Sequence, residues 1–346
     1  MTTRLSRRDF LKLTGLSLVG LAFRPFFGVN QDTGYGDLGR VAIYSVSVYA
    51  EPWDKSKILF QRYRDDLVNI YEDVVSEKGP GYNPLWYRVW GGYIHSAHIQ
   101  KVRVQLNPIQ EKIPEKGQLA EVTVPLSQAL RYNMYTGWQP VYRLYYQSIH
   151  WITGLDEGPD GEPWYKLRDE LLGVEYHVQA AHLRPILPEE YAPLSADVPP
   201  EEKRIEVSLA RQHLTAYEGE KIVFETTISS GVPDRHPQPG QIPTQTPTGK
   251  FHVQSKLPSK HMGDGHLTSD PEAYELPGVP WTSFFEPQTG VAFHGTYWHH
   301  NYGVPMSHGC INMKPEEALW VFRWTNPAPA PGDWETRGYG TRVIVT

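Results

Sequence analysis

Cys310 is the only cysteine of the 346-residue chain, and it sits in the run Ser307-His308-Gly309-Cys310-Ile311-Asn312. A second histidine lies sixteen positions upstream, in His294-Gly295-Thr296. A lone thiol has no partner for a structural disulfide. A thiol used as a nucleophile needs a base within reach and backbone N–H groups to hold an oxyanion, and two histidines and a glycine offer both. Reading Cys310 as a small buried apolar side chain leaves those neighbours unexplained. A zinc site drawn from His294, His299, His300, His308 and Cys310 fits no common ligand spacing, so no metal and no cofactor are expected.

The same run resembles the signature of the L,D-transpeptidases, the YkuD-type catalytic domain, which crosslink bacterial peptidoglycan. Other stretches resemble that family in the same order. Arg204 to Leu209 followed by Gln212-His213-Leu214 is similar to its opening strands, Thr246-Pro247-Thr248-Gly249-Lys250-Phe251 to its Thr-Pro-x-Gly element, and Thr341 to Val345 to its closing strand. The resemblance covers residues 203–346. The spacing between His294 and Cys310 is near the short end for the family, which bears on the shape of the loop between them.

The resemblance implies roles. Cys310 attacks the carbonyl that joins the third residue of a stem peptide to D-Ala, and His294 is the general base that draws the thiol proton. The family's third member follows that histidine, where this chain has Gly295, so the orienting contact has to come from a backbone carbonyl. Backbone N–H groups of His308, Gly309 and Cys310 hold the oxyanion, Ser307 and His308 support the loop, and Asn312 fixes the turn through backbone hydrogen bonds. An amine of a second stem resolves the thioester; water in its place would make an L,D-carboxypeptidase. A wall-binding scaffold without activity is the reading from another class, and the intact Cys310, His294 and His308 argue against it. An activated thiolate is expected to react with iodoacetamide near neutral pH faster than free cysteine does. Tyr297, Trp298 and Tyr302 fall between the motif ends and are candidates for a substrate cleft or lid.

These residues need strands to carry them. Strands are predicted over Ile205–Leu209 and Ile222–Ser229 around a hairpin at Glu218-Gly219-Glu220, and over Phe251–Ser255 and Val291–His294. Residues 231–247 are rich in proline and glycine and read as a long loop. Lys314 to Trp324 reads as a short helix with proline in its first turn and acids near its positive end. No role is assigned to Gly231–Gly240 or to Lys256–His266.

Residues 36–188 look like one β unit written twice. Leu85-Trp86-Tyr87-Arg88-Val89 is followed by Gly92 to Ile99, and Pro163-Trp164-Tyr165-Lys166-Leu167 by Glu175 to Leu183. The second copy has an insertion around Arg168–Gly173. The copies are predicted to open with Val46–Tyr49 and Ala120–Val124. They resemble bacterial SH3-like domains, which implies wall- or substrate-binding modules, with Tyr44, Trp53 or Tyr142 as groove-lining candidates beside the reading that most of these aromatics are core. His95, His98, His177 and His182 recur at matched places and read as structural hydrogen-bonders. The stretch Pro185–Pro200 reads as an extended, semi-rigid linker.

The expected organisation is therefore mainly β: a signal segment (1–35), two small SH3-like β-barrels (36–110 and 117–186), a proline-rich linker (187–202), and an L,D-transpeptidase-type β-sandwich (203–346) with a short helix after the cysteine. Ser6-Arg7-Arg8-Asp9-Phe10-Leu11-Lys12 and the apolar stretch after it match a twin-arginine signal, which predicts export to the cell envelope through the twin-arginine machinery. The apolar stretch is too short to span a bilayer, which needs about 20 residues. A single cysteine suits an oxidising exterior. The formal net charge of −6 gives no electrostatic case for a nucleic-acid partner. Peptidoglycan stem peptides are the partners the resemblance implies.

Overall fold

The computed structural model describes residues 37–234 and 243–346. The proposed signal segment and part of the proline-rich loop lie outside them. The fold is mainly β, and the one α-helix among the described residues is Pro315–Trp324. No described helix is long and apolar enough to cross a membrane.

The two sequence copies share one strand plan. In the first, Leu85–Val89 pairs with Gly92–His95, a 3-10 turn covers Ser96–His98, and Ile99–Val102 pairs back onto Asp37–Val41. In the second, Pro163–Arg168 pairs with Glu175–Gln179, a 3-10 turn covers Ala180–His182, and Leu183–Pro185 pairs back onto Gln118–Val122. Each copy closes around its own apolar core, with Val41, Val48, Tyr87, Ile94 and Ile99 in the first and Val122, Leu144, Tyr165, Leu167 and Val178 in the second. Residues 169–174 form the extra hairpin loop of the second copy.

The first copy opens with Asp37–Val41, one strand earlier than expected. Val46–Tyr49 belongs to its second strand, Ser45–Tyr49, the counterpart of Leu126–Asn133. Alternation misses the opener because Gly39 and Arg40 interrupt it. Gly39 lies against Ile99 and Ile70, where a Cβ would collide, and the Arg40 side chain is buried in the fold. Tyr142 is likewise no groove residue. It is 2% exposed, with its ring edge-on to Tyr176 and His261. Tyr44 is exposed, and Trp53 lies half-buried beneath the Lys78 ammonium. Three of the four recurrent histidines have a hydrogen-bond partner: His95 on the Asn83 carbonyl, His177 on Asp156 and His182 on Ser127.

The proline-rich segment after Pro185 is packed rather than spacer-like. Ile186 and Tyr191 join the core of the C-terminal part, Leu194 N–H donates to the Arg323 carbonyl (3.0 Å), and Arg323 Nε donates to the Ala192 carbonyl (2.8 Å). Lys203 Nζ donates to the carbonyls of Leu194 (3.1 Å) and Trp324 (3.0 Å). Carbonyls left free at the end of a helix attract a cation, and here a lysine supplies it.

The C-terminal part is two five-stranded sheets. One runs, in spatial order, Lys221–Thr227, His213–Glu218, Lys203–Ser208, Arg342–Val345, Gly249–His252; the other Ile311–Met313, Val291–Gly295, Glu275–Glu286, Ser255–Gly263, Thr336–Arg337. Phe251 of the first sheet meets Phe285, which meets Phe293, so this row of the second sheet faces the core. The helix presents Val321 and Phe322 to the same core, with Phe322 5.4 Å from Trp281. The expected strand Phe251–Ser255 is in fact two, broken at Val253-Gln254, and Lys256–His266 turns out to carry most of a nine-residue strand. Pro258 masks the alternation there, and the partner strand Glu275–Glu286 carries prolines 277 and 280, the left-handed Gly278 and Trp281, and a register shift opposite Lys260–Met262.

Candidate active site

The thiol and the upstream histidine come from adjacent parallel strands. Phe293 pairs with Ile311 and His294 with Asn312, which sets Cys310, the residue before Ile311, level with Ala292. Side chains alternate along a strand, so His294 lies on the face opposite core residue Phe293, and Cys310 immediately precedes the neighbouring strand two positions down the register. Register alone sets the two residues on adjacent strands, two positions apart.

His294 is 2% exposed, and its Nδ1 lies 3.0 Å from the carbonyl oxygen of Gly295. A carbonyl can only accept, so Nδ1 carries the proton and Nε2 is left with its lone pair. Burial pushes the imidazole down to about 4, against a smaller upward pull from the Gly295 carbonyl. The half-buried Cys310 thiol is pushed up to about 11 by burial, with the Ala292 backbone drawing it partly back; its Sγ is 3.5 Å from the Gly290 carbonyl. Burial thus disfavours the charged form of both groups, the imidazolium and the thiolate. This agrees with a base that draws the thiol proton during attack and weighs against fast alkylation at neutral pH.

The loop before the thiol is held at every turn. Ser307 Oγ donates to the Cys310 carbonyl (2.6 Å) and accepts from Gly309 N–H (3.1 Å). The Gly309 N–H is thus engaged, which leaves those of His308 and Cys310 as the oxyanion donors to consider. Gly309 has φ 125°, a conformation glycine adopts without strain. Thr246 Oγ1 donates to the Gly309 carbonyl (2.7 Å) and accepts from Gly231 N–H (2.8 Å). A Cβ on Gly231 would collide with the Thr244 carbonyl and the Gly309 amide. Thr246 and Gly231 carried no assigned role in the sequence, although Thr246 opens the Thr-Pro-x-Gly element. His308 is exposed, with its ring 5.9 Å from Tyr274. Burial raises the Tyr274 phenol, and the negative charge Cys310 can carry adds to that, so Tyr274 lies within electrostatic reach of the thiol. Nothing in the sequence singled out Tyr274, since it precedes a strand from a different part of the chain.

The remaining candidates divide. Trp298 is half-buried, with its ring 5.8 Å from the His294 ring. Tyr297 does not line a cleft: it is 2% exposed, its hydroxyl donates to the Pro277 carbonyl (3.1 Å), and its ring lies 5.9 Å from Tyr145. Tyr302 is half-buried, with its hydroxyl on Thr296 Oγ1 (2.8 Å). Asn312 does pair through its backbone, with Ser229, and its side-chain Nδ2 also lies 2.8 Å from Nε2 of His299. Among the described residues no group of histidine, cysteine and carboxylate side chains is arranged to hold a metal.

Residues 202–345 match the YkuD model, the L,D-transpeptidase catalytic domain. That span carries Cys310, His294 and the whole two-sheet body. Solved structures similar to this chain include an Enterococcus faecium L,D-transpeptidase C442S mutant, at 28% identity over 42% of this chain and 50% of that one, TM-score 0.30. L,D-transpeptidase 1 of Mycobacterium tuberculosis aligns at 22% identity over 42% of this chain and 61% of that one, TM-score 0.29. An L,D-transpeptidase from Mycobacterium smegmatis aligns at 17% identity over 72% of this chain and 92% of that one, TM-score 0.32. The chain thus spans half the length of the Enterococcus protein. The comparison with curated proteins finds no match.

Proposed function

We propose that this protein is an exported peptidoglycan L,D-transpeptidase in which Cys310 is the nucleophile and His294 the base. The observation that carries the reading is the register that sets a half-buried thiol next to the strand of a buried imidazole, the imidazole held by the Gly295 carbonyl so that its free nitrogen can take a proton. The match of residues 202–345 to the transpeptidase domain supports it.

His294 Nε2 takes the Cys310 proton while sulfur attacks the carbonyl carbon between the third stem residue and D-Ala. The negative oxygen is met by the N–H groups of His308 and Cys310. The carbon–nitrogen bond breaks, the imidazolium returns its proton to the departing amine, and D-Ala leaves an acyl thioester. An amine of a second stem then attacks that carbonyl and gives up a proton to His294; the carbon–sulfur bond breaks, the imidazolium returns the proton to sulfur, and the restored thiol leaves a 3-3 crosslink. Proton transfer during attack, rather than a standing thiolate, suits two groups whose charged forms burial disfavours.

The duplicated N-terminal units are read as SH3-like wall-binding modules, and residues 1–35 as the twin-arginine signal that delivers the folded protein to the envelope. Mass spectrometry of tetrapeptide muropeptides incubated with the protein, beside Cys310→Ala, tests the reaction. A dimer lacking one D-Ala, absent with the variant, is expected. Free D-Ala with tripeptide monomers alone would make the protein an L,D-carboxypeptidase, and no change with either protein would favour a wall-binding scaffold.

A further inference from the structure

The segment between His294 and Cys310 is bonded to the first repeat unit, not only to its own domain. Arg40 is 1% exposed, and its Nη2 donates to the Tyr297 carbonyl (3.1 Å). Its other donors go to Gln100 Oε1 (2.8 and 3.1 Å) and Asp65 Oδ1 (3.1 Å), and the guanidinium lies 4.0 Å over the Tyr145 ring. Asn83 Nδ2 donates to the His300 carbonyl (3.3 Å) and to Asn301 Oδ1 (3.1 Å), and His300 N–H donates to the Ala97 carbonyl (2.7 Å). Asn83 is itself fixed, its Oδ1 accepting from Ser96 Oγ (3.2 Å) and Leu85 N–H (3.3 Å).

What this segment touches next is the site. Trp298 lies against the His294 ring, His299 against the Asn312 amide, and the Asn301 carbonyl accepts from Ser229 Oγ (2.9 Å), whose backbone pairs with Asn312. Asn312 is two residues from Cys310. On the opposite flank, Arg64 of the same unit binds Glu272 through two bonds (2.7 and 3.1 Å), two residues from Tyr274. A flexible appended module would not bury an arginine and a carboxamide in contacts with the loop beside the thiol.

We infer that the first repeat unit is part of the active site, with Arg40 and Asn83 as positioning residues that fix residues 297–301 and, through Trp298 and Asn312, the alignment of His294 with Cys310. The inference rests on the proposed pairing of Cys310 and His294 but not on the identity of the acyl donor. A misplacement of about 1 Å in such a pair can cost up to a hundredfold in rate.

The test uses the full chain and two readouts: the pH profile of Cys310 alkylation by iodoacetamide, and D-Ala release from a tetrapeptide muropeptide. In folded Asn83→Ala, alkylation near neutral pH is expected to change by about tenfold, and kcat to fall by at least about tenfold with KM little moved. Val75→Ala, an exposed position of the same unit, is expected to change neither readout. Should Asn83→Ala fail to fold, Arg40→Lys, which keeps a cation beside Asp65, serves for the same measurement. A folded variant with the wild-type alkylation profile and the wild-type kcat would overturn the positioning role. An altered profile in a protein whose wild type releases no D-Ala would uphold it and overturn the transpeptidase reading instead.

Discussion

The His294 imidazole takes its orientation from the carbonyl of its own neighbour, Gly295, 3.0 Å from Nδ1. A backbone orienter cannot be deleted by truncating a side chain, but it can be pushed aside. A Cβ at residue 295 would stand 2.8 Å from Pro280 Cγ and 2.9 Å from Pro315 Cα, the first residue of the helix. Gly295→Ala is therefore expected to destabilise the fold by about 1–3 kcal/mol and to lower kcat more than it raises KM. Chemical denaturation together with steady-state kinetics checks both.

Cys310→Ala is expected to abolish D-Ala release and leave the thermal unfolding midpoint within a few degrees of wild type, since the side chain is small and half-buried. His294→Asn is expected to lose turnover as well, by about a hundredfold or more, as a base worth that much is removed. Near-normal turnover in His294→Asn would show that another group takes the proton.

Burial of the two groups predicts the pH behaviour. Turnover needs a neutral imidazole, so its acid limb is expected near the lowered His294 value of about 4 rather than near 6.5. Iodoacetamide should modify Cys310 more slowly than free cysteine at pH 7 and speed up well into the alkaline range, as the thiol is raised to about 11. Fast labelling at neutral pH would mean that an ion pair forms despite the burial.

Thr246 clasps the thiol loop through the Gly309 carbonyl and the Gly231 N–H. Thr246→Val keeps the shape and removes both bonds, leaving two buried backbone groups unpaired. A loss of about 2–4 kcal/mol in unfolding free energy is expected, with a fall in kcat. Equal stability in urea would show that the loop is held by other contacts.

His261 lies between Asp169 Oδ2 and Glu275 Oε2, each 2.7 Å away, and is almost wholly buried. Burial alone lowers its pKa, but the two carboxylates outweigh it and hold the imidazole above its ordinary value. A raised folded-state pKa gives stability that is complete below about pH 6.5 and is lost as pH rises through the folded value. Asp169 is held low, chiefly by His261 against the cost of burial, and so loses its contribution in acid. The unfolding midpoint is expected to fall between pH 6 and pH 9 in the wild type, and that alkaline slope should flatten in His261→Gln.

The sequence alone determined the fold class and the residues on which the proposed chemistry rests. A single cysteine beside His308 and Gly309, with His294 upstream, is local information, because consecutive residues in a tight loop are placed by their own backbone. The mainly β body and the helix starting at Pro315 follow from equally local patterns, alternation and a proline where no N–H is needed. Only the tertiary structure decided which distant residues complete the site. Thr246, Tyr274, Arg40 and Asn83 reach it through strand register and packing between units, which no short window encodes. It also decided that Tyr297 and Tyr142 are buried, since an aromatic side chain looks the same in a groove as in a core until its neighbours are known. The charge states were out of reach for the same reason. Desolvation depends on what surrounds Cys310 and His294 in space, and here it raises the thiol and lowers the imidazole.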